Sequence, residues 1–444
     1  MWKHLAGMAW LIIGLGAAAF AQPDSTSRAK IDAILGHPKY REAIAFLSRD
    51  HERIVEENVR LTEIAAPSFK EAAKADAFLE MLKPLGLSEL GIDQEGNVTG
   101  IRKGTGEGPL IAIAAHLDTV FPEGTDVKVK RDGSKLRAPG VADDTRGLAV
   151  ILAMLRAMEA AKIETASDIL FVASVGEEGL GDLRGVKYLF LKGPYKDRIK
   201  TFIALDGVNP SQITTTAVGS RRYRLTFTGP GGHSYSAFGL VNPMYAAGQF
   251  MVDFAKTQVP DLTTYNVGVI GGGTSVNSIP LEAWMEVDMR AVVPDELARL
   301  ESRMKELALA AAETENRTRS TKNGRLEVKM QLIGDRPAGS TTHPLLGTRL
   351  AAGARSTESA TKNTELVELA WAAVAAHGFK PELNASSTDA NIAMSLGIPA
   401  ITIASGSGDR MHSLDEWLEV DKETSLRQLG IAMTTVLAAA GMQP

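Results

Sequence analysis

The chain has 444 residues, 44% hydrophobic and 23% charged, with a formal net charge of -5 and a sequence pI near 6.0. That balance suits a soluble protein of two or three domains, and it excludes the basic footprint of a nucleic-acid binder. Cysteine is absent, which excludes disulfides and leaves His, Asp and Glu as the material for any metal site.

The chain opens with Lys3 and His4, an uncharged apolar stretch from Leu5, and Ala19-Phe20-Ala21. That order predicts an export leader over residues 1–21, cleaved after Ala21, and hence a periplasmic or secreted protein. The competing reading is a membrane anchor, but the stretch falls short of the ~20 apolar residues a spanning helix needs. Ala29 to Leu85 then reads as helices broken by Pro67 and Pro84. "PLIAIAAHLDTV" predicts a strand ending near His116, Gly147 to Ala161 a helix, and "DILFVASV" a second strand. "TFIALDG" and "PAITIASGSG" read as further strands. Continuous apolar runs of this length are the mark of parallel strands buried on both faces. Strands alternating with helices predict an α/β layered domain with a mostly parallel central sheet.

The middle of the chain has a different pattern. "SRRYRLTFT", "AWMEVDMRAVV" and "RLEVKMQLIGD" alternate apolar and polar residues, with helical stretches at Asn242 to Thr257 and Pro294 to Thr314 between them. This predicts an inserted, smaller α+β domain over residues 217–336, splitting the catalytic domain into 22–216 and 337–444. Gly347 to Glu365 carries little apolar periodicity and reads as an exposed excursion or weak helix.

Four of the predicted strands or adjoining turns deliver acidic or imidazole groups to one edge. They supply His116 and Asp118, Asp143 and Asp144, Glu177 and Glu178, and Asp206; "RMHSLDEW" adds His412. Taken singly, each has an ordinary reading: a glutamate at a strand end is commonly solvated, and so is a loop histidine. Together they make a mixed imidazole and carboxylate set at the strand ends, where open α/β sheets bind ligands. Such a set suits a site of two zinc ions sharing a carboxylate and a water.

The ordered motifs "AAHLDTVFPEG", "GPGGHS", "NSIP" and "HSLDEW" resemble the co-catalytic zinc exopeptidase and amidohydrolase family. It includes peptidase T, carnosine dipeptidases, aminoacylase, acetylornithine deacetylase, succinyl-diaminopimelate desuccinylase and bacterial glutamate carboxypeptidase. The resemblance spans nearly the whole mature chain. It implies a three-layer catalytic domain with a lid or dimerisation insertion, and two Zn2+ per subunit, with Co2+ or Mn2+ as substitutes. By this resemblance His116 binds one metal and His412 the other, Asp143 bridges them, Glu178 completes the His412 site and Asp206 the His116 site. Glu177 is then the general base, and Asp118 orients the imidazole of His116. The resemblance also implies a cis peptide between Asp143 and Asp144. Where many relatives read Asp-Asp-Lys-Gly-Gly, this chain has Thr145 and Arg146 after the aspartates, which leaves the packing there open.

His233, in a glycine turn, is a loop histidine on its own; the resemblance makes it the group that stabilises the oxyanion, donated across a homodimer in several relatives. "GGGTSVNSIP" leads into a strand and lacks a Walker lysine, so it is no phosphate loop. The resemblance makes Asn277 and Arg290 substrate contacts, although Arg290 also reads as one half of a structural ion pair. Gly406 and Gly408 would let the backbone approach the substrate. The implied reaction is amide hydrolysis of a short peptide or N-acyl amino acid, with no nucleic acid and no stable membrane anchor involved. In this family an aspartate at position 206 accompanies aminopeptidases and dipeptidases, and a glutamate accompanies carboxypeptidases and deacylases. The first branch is therefore expected, with an N-acyl amino-acid deacylase or carboxypeptidase as the alternative, and a non-catalytic binding protein as the reading from another class.

Overall fold

The computed structural model describes residues 25–340 and 357–444. The expected leader at 1–21 and residues 347–356 of the expected excursion lie outside them, while 357–365 open the helix Thr357–Ala376. Every residue of the strand Ile169–Ser174 is buried. It runs parallel to Leu110–His116, which is parallel on its other side to Ile199–Leu205, itself parallel to Ala400–Ile403. Antiparallel strands close both flanks of this parallel centre: Ser88–Ile92 and Val98–Arg102 on one side, Gln212–Ala217 on the other.

These strands are apolar throughout because both faces of the sheet are covered. Ile111, Ile113, Ala115, Phe171 and Ala173 pack with residues of the helices Pro38–Thr62, Thr145–Ala160 and Lys422–Ala440. The alternate residues Ala112, Ala114, Leu170 and Val172 meet Val186, Leu189 and Phe190 of Arg184–Leu191 and Ile392 and Met394 of Ala390–Ser395. The period of two along each strand thus yields a three-layer α/β sandwich.

From Leu110–His116 the chain goes to Ile169–Ser174 on one side and then to Ile199–Leu205 on the other. That reversal opens a crevice at the carboxyl ends of the three strands.

A second sheet has the order Thr263–Gly272, Glu282–Ala291, Gly219–Thr228, Glu327–Arg336, antiparallel throughout. Tyr223, Leu225, Phe227, Met285, Val287 and Met289 face a core shared with the helices Pro243–Phe254 and Pro294–Thr318. The opposite face carries charge: Arg222 pairs with Asp288, and Arg224 pairs with Glu286 while stacking on Trp284. The fold is therefore a three-layer α/β body with a smaller α+β insertion. Several strands were not read from the sequence, among them Ser88–Ile92, Val98–Arg102, Gln212–Ala217 and Thr263–Gly272. Gln212–Ala217 has three threonines where an apolar run would stand, and Thr263–Gly272 is an edge strand ending in glycines. Among the described residues no helix is long and apolar enough to cross a membrane.

Candidate metal centre and cleft

His116 is the last residue of its strand. Its main-chain N–H donates to Asp144 Oδ2 (2.9 Å), while Asp144 Oδ1 caps the helix Thr145–Ala160 by accepting from Gly147 N. The Asp143–Asp144 peptide is cis. Gly147 has to be glycine: a Cβ there would lie 2.4 Å from the carbonyl oxygen of Leu205 and 2.5 Å from Asp144 Oδ1.

Asp143 stands between two imidazoles. Its Oδ1 is 3.0 Å from His116 Nε2 and its Oδ2 is 3.1 Å from His412 Nε2. His412 Nε2 also lies 3.0 Å from Glu178 Oε1. Arg410 and His412 both adopt left-handed backbone (φ 63°), which turns the loop so that His412 faces the strand ends. The donor atoms of His116, Asp143 and Asp206, of Asp143, Glu178 and His412, and of His116, Glu177 and Glu178 form three clusters, each within 4.8 Å. The first two share Asp143.

The Glu177–Glu178 turn is anchored from below. Asp118 Oδ1 accepts from Glu177 N (2.9 Å) and Oδ2 from Glu178 N (3.0 Å) and Ser68 Oγ (2.7 Å). The expected role of the Asp118 carboxylate in orienting His116 is modified by this geometry. The imidazole Nδ1 meets the main-chain carbonyl of Asp118 at 2.9 Å, whereas the carboxylate, engaged by the two glutamate N–H groups, is 3.7 Å away. Gly176 (φ 67°) and Gly181 make the turn possible, since a Cβ on Gly181 would come within 2.5 Å of the Gly176 Cα.

The electrostatics follow from this crowding. Burial, together with the neighbouring Asp143, pushes Asp206 up to about 7. Burial raises Glu177 well above the usual carboxylate range, against the pull of Arg336. Burial opposes ionisation of Asp143 too, but its bonds to His116 and His412 win and hold it low. Those same bonds to Asp143 and Glu178 lift His412 to about 10. Several carboxylates and two imidazoles converge with Arg336 as the nearby fixed cation, so the cluster is short of positive charge. A set of oxygen and imidazole donors held this way fits divalent metal ions.

Three residues at the site were not singled out from the sequence. Arg336, at the end of an inserted strand, lies 3.2 Å from Glu177 Oε1 through Nη1, which also donates to Ser387 Oγ (3.1 Å); Nη2 donates to the Glu177 carbonyl. Asp389, buried beneath the cluster and raised to about 6 by burial, accepts from Ser174 Oγ. Glu416, fully buried, accepts from the main chain of Gly140, Ala142 and Asp143 at 2.8–3.1 Å, tying the His412 loop to the Asp143 turn. Glu416 alone had a local signal, since it lies inside "HSLDEW" four residues after His412.

A cleft of about 520 Å³ is lined by Asp143, Glu177, Glu178, Asp206 and His412 on one side and by Arg222, Arg290 and Arg336 on the other. Arg290 lines the cleft, and its Nε bonds Asp288 Oδ2 at 2.7 Å, which is the ion pair of the second reading. His233, on the short strand Gly232–His233, and Asn277, in the turn before its partner strand Ser278–Ile279, are exposed, Ser234 N donating to the Asn277 carbonyl, and neither lines the cleft. Gly406 and Gly408 do not line it either. A Cβ on Gly406 would sit 2.8 Å from Leu418 Cδ1 and one on Gly408 2.3 Å from the Trp417 carbonyl oxygen, so these glycines serve close packing of the loop on the strand Trp417–Glu419.

A family model described as peptidase family M20/M25/M40 matches residues 112–438. The uncharacterized protein YqjE of Bacillus subtilis is 24% identical over 407 residues, covering 86% of this chain and 98% of that one. Among solved structures, the aminopeptidase PepT of Bacillus cereus superposes with a TM-score of 0.64 at 22% identity, over 87% of this chain and 99% of its own. The di-peptidase Dug1p of Saccharomyces cerevisiae gives 0.67 at 14% identity, over 90% and 98%. At these identities the superpositions speak for the fold. One expectation is corrected: no positive sign of a signal peptide or of export is shown, the described residues beginning at Ser25, so the description as a periplasmic or secreted enzyme is withdrawn while hydrolase and metallopeptidase stand.

Proposed function

The chain belongs to peptidase family M20/M25/M40 and is a metal-dependent hydrolase, and from that premise we propose that it is a two-zinc exopeptidase removing residues from the free amino end of short peptides. The observation that carries the metal count is the single Asp143 carboxylate, one oxygen toward His116 and the other toward His412. His116 and Asp206 would hold one ion, His412 and Glu178 the other, with Asp143 common to both. Zinc suits the nitrogen and oxygen donors, and Co2+ or Mn2+ would serve as substitutes. When bound, the ions supply Lewis acidity, polarising the scissile carbonyl and making a water acidic near neutral pH.

The chain's own groups do the rest. Glu177 belongs to neither of the two ligand sets that share Asp143, and burial raises the proton affinity of its carboxylate. Such a group takes the proton of the attacking water and passes it to the leaving nitrogen. Arg336 holds Oε1 of Glu177, and the Asp118 carboxylate fixes the main chain on which Glu177 sits. Arg290 is placed in the cleft to meet a substrate carboxylate or developing oxyanion.

His233 is exposed and away from the cleft, flanked by Tyr235 at 88% and Phe238 at 83% exposure. We extend the proposal to a homodimer through the insertion, in which His233 of one subunit serves the cleft of the other. A deacylase or carboxypeptidase is the second reading, favoured by the three arginines lining the cleft, which suit a substrate carboxylate.

The test pairs short peptides carrying free or acetylated amino termini with the zinc-loaded enzyme. Cleavage confined to the free-amine set is the expected result. Preferential cleavage of the acetylated set would replace the aminopeptidase reading with the deacylase or carboxypeptidase one.

A further inference from the structure

Arg146, where many relatives have glycine, is not used by the chemistry above, yet it is among the largest fully buried side chains of the protein, at 1% exposure. Its Nε, Nη1 and Nη2 have no hydrogen-bond partner among the described residues. Burial pulls its guanidinium down only to about 10, so it stays protonated at neutral pH, and no carboxylate contributes to that balance. It sits in the first turn of the helix Thr145–Ala160, where the helix dipole adds further positive potential.

No carboxylate is paired with the guanidinium. The side chain passes Gly406, whose missing Cβ would lie 3.0 Å from Arg146 Cγ and 3.7 Å from Nε, so the glycine opens the space the arginine occupies. The helices Pro38–Thr62 and Lys422–Ala440 both pack on the helix of Arg146. From the first comes His51, 4% exposed, with Nε2 lacking a partner and an imidazole that feels the charge of Arg146. From the second come Ser425 and Gln428, with Ser425 Oγ and Gln428 Nε2 and Oε1 buried and unpartnered. His51 Nδ1 lies 3.6 Å from the exposed Glu52, and its other charged neighbours are Arg146, Lys422 and Asp421. Water would satisfy the hydrogen bonds of this seam and leave its charge standing, and a buried, uncompensated cation is among the least tolerable features of a protein interior.

We propose that Arg146 anchors a buried site for a small monovalent inorganic anion, chloride in ordinary salt, in the seam between these three helices and the Gly406 turn. The guanidinium provides the charge and its planar fork of donors, and His51 Nε2 is a neutral, unpartnered donor on the neighbouring helix. The site lies three residues beyond Asp143 and against the loop that carries His412, so the anion braces the two segments that meet at the shared carboxylate. It holds whichever peptide the enzyme cleaves.

The experiment follows thermal unfolding of the metal-loaded full chain as gluconate is exchanged for chloride or bromide at constant ionic strength, in the wild type and in Arg146→Met. A ligand that binds only the folded state raises the Tm with its concentration. The wild-type Tm should climb by a few degrees with either halide, and the Arg146→Met curve should be flat. Crystals of the wild type grown in bromide should show an anomalous peak within hydrogen-bonding distance of the guanidinium, and this decides the matter if Arg146→Met does not fold. A halide-independent wild-type Tm overturns the proposal. So does a guanidinium surrounded by ordered waters alone, and a bromide peak without the solution effect would mark an adventitious ion only.

Discussion

Replacing Glu177 separates chemistry from structure, because its carboxylate has two jobs. It is the group positioned to move the proton, and it faces the buried guanidinium of Arg336, 3.2 Å away with both side chains under a tenth exposed. Glu177→Gln keeps an oxygen toward Arg336 and loses the base, so turnover should fall by about 10²–10⁴ while bound metal is unchanged. Glu177→Ala should lose the same activity and in addition leave Arg336 without its carboxylate. Removing one partner of a buried pair costs roughly 3–5 kcal/mol. Arg336 keeps the Glu177 and Gly179 carbonyls and Ser387 Oγ as acceptors, which places the expected loss near the lower end, about 3 kcal/mol. The double variant Glu177→Ala, Arg336→Met should recover much of that stability and none of the turnover. The assay is peptide hydrolysis under saturating zinc, with metal content by mass spectrometry and unfolding by urea on the same preparations. Full activity in Glu177→Gln would refute the assignment of the base. Full stability in Glu177→Ala would refute the claim that the pair is structurally coupled.

Other perturbations have equally direct readouts. His116→Ala removes one donor of the cluster around Asp143 and should lower bound metal as well as activity, where the Glu177 variants leave bound metal unchanged; metal analysis after dialysis distinguishes them. Gly408→Ala would press a methyl to 2.3 Å from the Trp417 carbonyl oxygen, and should cost about 1–3 kcal/mol of stability, measured by urea unfolding. Burial holds His377 down at about 4, while the same imidazole in an unfolded chain titrates near 6.5. Protons therefore bind the unfolded chain first: the contribution is fully present above pH 6.5 and is lost as pH falls toward 4, amounting to about 2–3 kcal/mol after allowance for partial exposure. His377→Gln should flatten that part of the stability profile, and an unchanged profile would exclude His377 as its source.

What the sequence by itself determined is the layered fold and the edge at which chemistry collects. Ile169–Ser174 and Leu110–His116 are apolar at every position because parallel strands are covered on both faces, and that pattern is local enough to read directly. His116 ends its strand, Asp206 follows its own directly and the Glu177–Glu178 turn comes just after Ser174, so chain direction alone sends them to the carboxyl edge. The expectation that Asp143 is shared by two metals came from motif resemblance, and the structure adds that its carboxylate stands between His116 and His412. Tertiary structure decided the rest. Arg336 reaches Glu177 only because the inserted sheet returns its last strand to the catalytic body, and Asp389 lies under the cluster only because a short helix follows the strand Glu382–Ser386. Neither residue has a periodicity or neighbour that marks it. Gly406 and Gly408 looked like openings for a substrate and turned out to be packing contacts with the strand Trp417–Glu419, a pairing no local pattern encodes. Arg146 shows the difference most sharply. In sequence it is a charged residue three positions after Asp143, and only the convergence of three helices takes it out of water and leaves its charge unanswered by the protein.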